Sequence, residues 1–370
     1  MHREVIEYGE GLWSSLAPIW QTLGANDTSA FLSVEWVGAW IGAFGRGRRP
    51  WGVVWHGADE RPVGCALLSV GMAKLGPFTV RRMYLNASGV GVGCEHNDVL
   101  AVPEVRAAIL DDLISLVRGE SVDELALRGV REHLYQELRT RWPEPVHEGF
   151  LSESPFVSLG HVRAGGEPYL SSLSSNTRSQ IRRSIRLYQC RFGDPEVRAA
   201  GPLEVRAWFD RMVMLHTGRW RQRGGEGAFV DPAVCSFHVG LLEGTFEAPS
   251  DFQPELLRVS FGREAIAYLY QLRYRGRVSF YQSGLAYHDD NRLKPGLVAH
   301  AFAIEHYISL GESEYDLLGG EPEAVRYKRS LATDGRMLAW IELPSPTAKM
   351  RLLRGARLAR RGVRSLWQRQ

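Results

Sequence analysis

The first third of the chain has a pattern of apolar and polar positions that predicts helices around a group of strands. Apolar residues recur at helical spacing over residues 31–45, which predicts a helix that begins at Ser29 or Ser33 and ends at Gly45. β-Branched and aromatic runs follow at 51–57, 62–73 and 78–86, separated by turn residues, and they predict an antiparallel meander. Residues 103–119 then predict a helix and 122–130 a strand.

The second half of the chain repeats this plan after a loop-rich stretch, residues 142–166, that holds three prolines. Its pattern predicts helices at 174–191, 202–220 and 232–246, strands at 255–262, 264–276 and 277–287, a helix at 297–311 and a strand at 313–320. The shared order predicts a mixed α/β (α+β) fold of two similar domains, residues 1–160 and 161–345, followed by a basic amphipathic helix at 346–370.

Composition is consistent with a folded protein of two domains. The chain has 370 residues, of which 44% are hydrophobic, against a usual domain of roughly 150 residues. Its net charge of +3 is unevenly distributed, because residues 349–370 carry eight Lys or Arg and no acid. The remaining residues carry 37 basic and 42 acidic side chains, a net charge of −5. This mildly acidic body argues against a broad nucleic-acid footprint.

Several functional classes receive no support from the sequence. The four cysteines form no CxxC pair, and neither GxSxG nor HExxH occurs, so zinc, thiol-redox and serine-hydrolase chemistry are not indicated. No run of 18 apolar residues occurs, and the N-terminus lacks the apolar core of a signal peptide. We therefore expect a soluble, cytoplasmic protein without a metal and without stable membrane insertion.

A basic segment at residues 174–191 is the first candidate for chemistry. Arg178, Arg182 and Arg186 form an i, i+4, i+8 stripe, and no acid lies between Glu167 and Asp194. Like charges four residues apart repel each other, so the stripe needs carboxylates from elsewhere in the fold or an anionic ligand. The sequence leaves both open.

The junction before the predicted helix at 297 is a second candidate. Arg292, Lys294 and Gly296 lie where a strand passes into a helix, and the free N–H groups and dipole of a helix N-terminus favour an anion. A phosphate would fit at this turn, and an ordinary strand-to-helix turn is the alternative.

Ionisable residues also cluster after the short strand near residue 316. Asp316 precedes Gly319 and Gly320, and the cluster continues with Glu321, Arg326, Tyr327, Lys328 and Arg329. Open α/β sheets build sites past their strand ends, although a surface loop with charge pairs is equally compatible with this composition.

These segments together resemble a known family. The basic helix at 174–191, the strands "AYLYQLRYRGRVSFYQSGLAY", the turn "RLKPGLVAHAFAIEH" and the segment "YDLLGGEPEAVRYKRSLA" are similar to the CelD-type branch of the GNAT acyltransferase superfamily, which is related to the FemAB aminoacyltransferases. The N-terminal segments "FLSVEWVGAWIGAFG" and "CEHNDVLAVPEVRAAILDDLI" resemble the first domain of that branch.

The resemblance implies two tandem GNAT-like domains and transfer of an acyl group from acyl-CoA, most simply acetyl-CoA, to the amine of a small molecule. It implies that the donor pyrophosphate binds at Arg292, Lys294 and the N–H groups of Gly296, Leu297 and Val298. It further implies that the pantetheine arm follows the strand at Gln282, Ser283 and Gly284.

The chemistry of such a transfer suggests further roles. The amine must lose a proton and the leaving thiolate must gain one. We expect Asp316 or Glu321 as base or amine anchor, Tyr281 or Tyr327 as proton donor to the thiolate, and Lys328 as electrostatic support. The segment "GGEPEAVRYK" is longer by several residues than its counterpart in the family, which affects where Tyr327 and Lys328 lie.

Two other functions stay open at this stage. An aminoacyl-tRNA-dependent transferase would use the arginine stripe and the basic tail to hold RNA phosphates. A non-catalytic relative would only bind a carrier or partner. The basic helix at 346–370 is expected to dock on its own body or on an acidic protein partner.

Overall fold

The structure of the protein, a computed structural model, describes residues 1–353 except 76, 145, 246–249 and 321. Its strands are β1 (His2–Ile6), β2 (Trp51–His56), β3 (Pro62–Leu75), β4 (Phe78–Leu85), β5 (Leu100–Ala101), β6 (Glu124–Arg131), β7 (His147–Ser158), β8 (Pro195–Ala199), β9 (Phe252–Phe261), β10 (Glu264–Tyr274), β11 (Arg277–Leu285), β12 (Glu314–Asp316) and β13 (Asp334–Pro344). Its helices are α1 (Gly11–Leu23), α2 (Val34–Arg48), α3 (Arg106–Gly119), α4 (Glu132–Arg141), α5 (Leu159–Gly165), α6 (Ser175–Phe192), α7 (Val205–Gln222), α8 (Pro232–Gly244), α9 (Pro295–Ser309) and α10 (Pro322–Arg329).

The described strands form one sheet that runs through the whole protein. Their order is β1, β2, β3, β4, β6, β13, β7, β12, β11, β10, β9, β8, and β5 pairs with β3. Only two of the pairs between these strands, β4 with β6 and β11 with β12, are parallel. The prediction of a mixed, largely antiparallel sheet flanked by helices is therefore confirmed.

The order of elements repeats in two halves. The first half runs from β1 to β7 and the second from β8 to β13. Each contains a strand, two helices, a three-strand meander, a helix, a strand, a helix and a final strand. In both halves the last strand of the meander is parallel to the strand after the next helix. The tandem arrangement predicted from the repeated pattern is thus present in the fold.

The final strands of the two halves are exchanged. β7 pairs with β12 and β13 of the second half, while β13 pairs with β6 of the first half. The division at residue 160 remains a prediction, because both strands pair across it. The expectation that residues 142–166 are loop-rich is wrong, since β7 and α5 together occupy most of them. Partner strands on both sides, such as Gly335 opposite Pro155, impose the extended conformation on a sequence with weak strand propensity.

Helices on one face of the sheet join the two halves through a shared core. Ser33, one of the two predicted start sites, is the N-cap of α2. Its hydroxyl accepts a hydrogen bond from the N–H of Trp36. The helix runs past the predicted stop at Gly45 to Arg48. The ring of Trp36 packs edge-on against Phe237 of α8, with ring centroids 5.0 Å apart. The apolar faces of α2 and α8 thereby hold the halves together.

The start of the C-terminal tail packs on the first half. Residues 348–353 are helical, and Met350 and Leu353 are buried against Val80 of β4. The rest of the basic helix predicted at 346–370 lies outside the described residues. No helix of the described part of the chain is long and apolar enough to cross a membrane.

Candidate active site

The strands β11 and β12 separate in the second half and leave an opening between them. They pair from Arg277 with Glu314 to Ser279 with Asp316, after which β12 ends while β11 continues to Leu285. We call this opening, between residues 280–285 and 317–320, the strand gap. One edge of β11 there has no neighbouring strand among the residues that the structure describes. The residues predicted to follow the pantetheine arm, Gln282, Ser283 and Gly284, lie on this part of β11.

Two local features shape β11 beside the strand gap. Gln282 pairs with Tyr270 and Phe280 with Gln271, so Tyr281 is the extra residue of a β-bulge. The carbonyl of Ser283 accepts a 3.2 Å hydrogen bond from His216 Nδ1. This bond connects β11 to α7, which packs on the same strand.

The helix after β11 begins without a cap. Lys294 occupies the N-cap position and makes no side-chain cap bond, and Pro295 has no N–H. The N–H of Val298 donates to the carbonyl of Lys294 at 3.1 Å. Of the three predicted phosphate-binding amides, those of Gly296 and Leu297 are therefore the ones left for an outside acceptor.

The two cations predicted at this turn have different surroundings. The guanidinium of Arg292 binds both carboxylate oxygens of Asp290, at 2.9 and 2.8 Å, and Arg191 contacts the same carboxylate at 2.6 Å. The ammonium of Lys294 has no carboxylate partner among the described residues. The backbone N–H of Lys294 donates to the hydroxyl of Ser184 at 2.9 Å. Lys294 is the cation with a free charge.

Tyr327 of α10 faces the first turn of α9. A Cβ atom placed on Gly296 would lie 2.6 Å from the Tyr327 hydroxyl oxygen, so the phenol occupies the space that the missing side chain leaves open. Its ring lies 6.1 Å from that of His300. The hydroxyl of Tyr327 makes no hydrogen bond to another described residue, which leaves its proton available.

The equivalent opening in the first half is filled by the chain itself. Between β4 and β6, the side-chain amide of Asn86 donates to Asn97 Oδ1 and to the carbonyl of Asp98, both at 2.7 Å. Asn97 forms a parallel bridge with Val130 of β6. Arg106 at the start of α3 is bound by Asp98 at 2.6 Å. Within the described part of the chain, the repeated fold therefore keeps one open gap of this kind, in the second half.

A segment of the first half crosses the strand gap on the face opposite α9. The N–H of Gly93 donates to the Tyr281 hydroxyl oxygen at 3.1 Å, and burial raises the pKa of that phenol, which stays neutral. Two residues on, Glu95 Oε2 accepts a 2.6 Å hydrogen bond from the N–H of Gly319. The segment 93–96 therefore connects both sides of the gap.

Asp316 is fully buried, and its carboxylate is surrounded by hydrogen-bond donors and cationic groups of the chain. The Ser154 hydroxyl and the Leu318 N–H donate to Oδ1 at 2.7 and 2.8 Å. His96 Nε2 lies 2.8 Å from Oδ2, at ion-pair distance but without hydrogen-bond alignment. Burial alone would raise the pKa of Asp316, but His96, Arg277 and Arg336 bring it below its usual value. Because the residue has no exposed surface, direct contact with an amine, as predicted from sequence, is not possible in this geometry.

Lys328 and Glu95 form the titratable part of the site that adjoins the gap. The Lys328 ammonium donates to the carbonyls of Leu318 and Gly319, at 3.1 and 2.6 Å. Burial lowers its pKa, an effect that Glu95 and Asp316 partly offset. Burial likewise raises the pKa of Glu95, and Lys328 and the Gly319 N–H only partly oppose this. Glu321, the other predicted base, lies outside the described residues.

The arginine stripe lies on the helix next to this site. α6 buries Thr177, Ile181, Ser184 and Tyr188 and runs beside the start of α9, where Ser184 accepts from Lys294. An α-helix turns by about 100° per residue. The stripe therefore lies about 120–160° around the helix from Ser184, on the side away from α9; its members are Arg178, Arg182 and Arg186. Arg182 and Arg186 are exposed, and neither has a carboxylate partner among the described residues.

Sequence reasoning missed Glu95 and His96. Both belong to "GVGVGCEHND", which reads as a flexible turn because it does not open a helix as a dinucleotide-binding loop does. A signal was present in four consecutive polar residues, 95–98, between the buried residues Cys94 and Val99. Among the described residues, no group of three or more His, Cys, Asp or Glu could hold a metal ion.

Solved structures resemble this fold along almost the whole chain. FemX matches 93% of this chain and 97% of its own, with a TM-score of 0.58 and 10% identity. L-PGS from Bacillus licheniformis matches 94% and 96%, with a TM-score of 0.53 and 10% identity. A tandem GNAT protein from the clavulanic acid biosynthesis pathway matches 94% and 100%, with a TM-score of 0.50 and 9% identity. At such identities the likeness shows the fold.

The sequence itself defines the class. Residues 175–329, which hold the strand gap, α9 and α10, match the family model described as an acetyltransferase (GNAT) domain. No curated protein sequence matches the chain. The fold and this domain are those of an N-acyltransferase enzyme. Residues 175–329 are similar to a GNAT acetyltransferase domain, and the chain as a whole has a fold similar to those of FemX and of the tandem GNAT protein from the clavulanic acid pathway.

Proposed function

We propose that this protein transfers an acyl group from an acyl-CoA thioester, such as acetyl-CoA, to the amine of a small molecule. The observation that carries the proposal is the strand gap, which leads to the uncapped start of α9 at Gly296, with the free ammonium of Lys294 beside it. An extended donor with an anionic end suits an open strand edge that leads to a helix N-terminus. The closed counterpart in the first half supports a donor site in the second half.

The residues of the gap suit distinct parts of such a donor. The amides of Gly296 and Leu297, together with Lys294, would bind the pyrophosphate. The free edge of β11 at residues 282–284 would hold the pantetheine arm through backbone hydrogen bonds. The thioester would then lie where the strands part, near the pairing of Ser279 with Asp316.

The transfer needs a proton acceptor and a proton donor. The amine nitrogen attacks the thioester carbonyl carbon, a C–N bond forms and the C–S bond breaks. We assign Glu95 as the group that takes the proton from nitrogen, because burial gives it a raised pKa suited to a base. We assign the Tyr281 hydroxyl, which lies at the bulge beside the point where the strands part, as the donor to the departing thiolate, because the Tyr327 hydroxyl lies at Gly296, where the pyrophosphate would bind. Lys328 holds the carbonyls of Leu318 and Gly319 and balances the charge of Glu95.

Calorimetry with CoA and with acetyl-CoA, at low and moderate salt, tests the donor. We expect saturable binding by the wild type and a loss of binding in an Arg292→Ala, Lys294→Ala double variant. Lys74→Ala, an exposed lysine on β3, is the matched control and should bind as the wild type does. Equal binding by the double variant and the wild type would remove the donor from this turn.

An aminoacyl-tRNA donor is the second candidate. It is favoured by the exposed Arg182 and Arg186, which lack carboxylate partners among the described residues, and by the fold shared with FemX and with a putative lysylphosphatidylglycerol synthetase (TM-score 0.52). Salt-sensitive binding of charged tRNA, lost in an Arg182→Gln, Arg186→Gln double variant, with no binding of CoA, would establish this donor instead.

A further inference from the structure

A cavity of about 780 Å³, with polar or charged residues at most positions of its wall, lies between the two halves of the protein. Its walls come from the loop after α1 at residues 26–28, from residues 131–133 at the junction of β6 and α4, from Arg277 at the start of β11 and from residues 335–338 of β13. Volumes of roughly 300–1,000 Å³ are typical of sites for small molecules. Neither the donor turn at Gly296 nor the arginine stripe of α6 contributes to this cavity.

Three guanidinium groups from different strands meet in the wall. Arg277 Nε contacts Glu314 at 2.8 Å, and Arg336 binds both oxygens of the same carboxylate. Arg131 contacts Asp27 at 2.7 Å. Glu314 is therefore shared by two arginines. The N–H groups of Arg277 other than Nε–H have no hydrogen-bond partner among the described residues.

The charge around Arg277 is consistent with an unfilled anion site. Burial lowers the pKa of Arg277, and the field of Arg336 and Arg131 acts in the same direction, against the opposing effects of Glu314 and Asp316. An anionic group in the cavity would remove this imbalance and satisfy the free N–H groups. Asp27 and Glu132 also line the cavity, and their charges disfavour a polyanion over a ligand with a single anionic group.

His96 connects the cavity to the strand gap. Its ring is 2% exposed, forms part of the cavity wall and lies 2.8 Å from Asp316, the last residue of β12 before the strands part. The preceding residue, Glu95, contacts Gly319 inside the gap. A ligand with its anionic group at Arg277 would have its other end at the part of the wall formed by His96, one residue from Glu95.

We propose that this cavity binds the acceptor, and that the acceptor is an amine that also carries one carboxylate or phosphate group, held by Arg277 and Arg336. This inference rests on the proposed function. If the donor enters the strand gap from the α9 side of the sheet, the opposite side is left for the acceptor. Arg131 completes the anion subsite. The amine end is directed to Glu95.

Binding of simple anions tests the subsite without knowledge of the acceptor. We would titrate the full chain, in the Arg292→Ala, Lys294→Ala background so that binding at the α9 turn does not contribute, with inorganic phosphate and, separately, with propionate, which distinguishes a phosphate from a carboxylate subsite. Arg277→Lys keeps the charge but loses the planar fork, and Thr28→Trp fills the cavity without removing an ion pair. We expect about tenfold weaker binding of the preferred anion in both variants, and unchanged binding in Arg263→Lys, an exposed control on the β9–β10 turn.

The outcomes separate this inference from the proposed function. Normal CoA binding, with anion binding absent or equal in all variants, overturns the acceptor subsite alone. Anion binding lost in Arg277→Lys and Thr28→Trp, with no CoA binding by the wild type, keeps the subsite and rejects the donor. With both ligands bound, a panel of amino acids and amino-sugar phosphates incubated with acetyl-CoA should release thiol, and Arg277→Lys should raise KM for the acceptor more than it lowers kcat.

Discussion

The carboxylate of Glu95 accepts a 2.6 Å hydrogen bond from the backbone N–H of Gly319, although the two residues are 224 positions apart in the sequence. Glu95 belongs to the first half of the protein and Gly319 to the second. The site around the strand gap is therefore complete only when both halves are folded against each other. The half whose own gap is closed thus supplies the carboxylate that we propose as the proton acceptor.

Replacing this carboxylate should separate activity from stability. We expect Glu95→Gln to lower kcat by about 10²–10⁴-fold, the usual contribution of a general base. In the wild type, the pKa of Glu95 is raised in the folded state. Between its unfolded and folded pKa values, the folded protein therefore binds more protons than the unfolded chain, and the stability falls as pH rises through that range. The uncharged Gln side chain avoids the cost of a buried ionised carboxylate. The melting temperature of Glu95→Gln at pH 7 should therefore equal or exceed that of the wild type. Thiol release and thermal unfolding measure the two effects.

Glu120→Gln is the control for this change, because Glu120 is exposed at the end of α3. It should alter neither kcat nor the melting temperature. Wild-type activity in Glu95→Gln would exclude Glu95 as the proton acceptor, and a large drop in melting temperature would show that its role is structural.

The close contact of α7 with β11 makes Gly284 a sensitive position. A Cβ atom there would lie 2.5 Å from the carbonyl oxygen and 2.7 Å from the Cα of Met212, and this backbone cannot rotate away. We expect Gly284→Ala to lower the free energy of unfolding by about 1–3 kcal/mol, as overpacking does, and to weaken donor binding. Urea denaturation and calorimetry with CoA test both effects.

Gly218 on the same helix provides the comparison. A Cβ at this position meets nothing within 4 Å, so Gly218→Ala should raise the free energy of unfolding by about 0.5–1 kcal/mol through helix propensity. If the two variants had the same stability, the strands and helix would not be packed as closely as the structure shows.

Sequence patterns predicted the elements whose stability is local. The basic helix expected at 174–191 is α6, Ser175–Phe192, because its cap Ser174 and its apolar stripe lie within the segment itself. The strands β7 and β13 were not predicted. Each gains its conformation from partners in the other half of the chain, and that information is not present in its own pattern of residues.

The same distinction applies to the site. The turn before α9 was found from Arg292, Lys294 and Gly296 because a helix N-terminus is a local feature. Glu95 and His96 acquire their surroundings from Gly319 and Asp316, more than two hundred residues away, and no local motif marks them.

The two cations at the α9 turn should contribute unequally to donor binding. Arg292 is already bound by both oxygens of Asp290, whereas Lys294 has no carboxylate partner among the described residues. We expect Lys294→Ala to weaken CoA binding about tenfold and Arg292→Ala to weaken it less, because a phosphate must compete with Asp290 for the guanidinium. Calorimetry on the single variants measures the difference, and a larger loss in Arg292→Ala would contradict it.

A buried histidine under α9 should make the protein sensitive to acid. His300 Nδ1 lies 2.9 Å from the Tyr315 hydroxyl, which itself accepts from Gln271, so Tyr315 donates to a neutral imidazole. Burial, with a smaller effect of Lys328, lowers the pKa of His300 from 6.5 to about 3. Between these values the unfolded chain binds a proton that the folded chain does not. Stability from this residue is therefore complete above pH 6.5 and is lost as pH falls toward about 3.

His300→Gln should reduce this dependence. The Gln side-chain oxygen can still accept from the Tyr315 hydroxyl but cannot be protonated in this range. We expect the free energy of unfolding of the variant to fall less steeply than that of the wild type between pH 6.5 and pH 4, while His161→Gln, an exposed control, follows the wild type. If the free energies of unfolding of His300→Gln and the wild type fell in parallel with pH, His300 would be protonated in the folded protein at no cost in stability. The packing under α9 would then not exclude a charged imidazole.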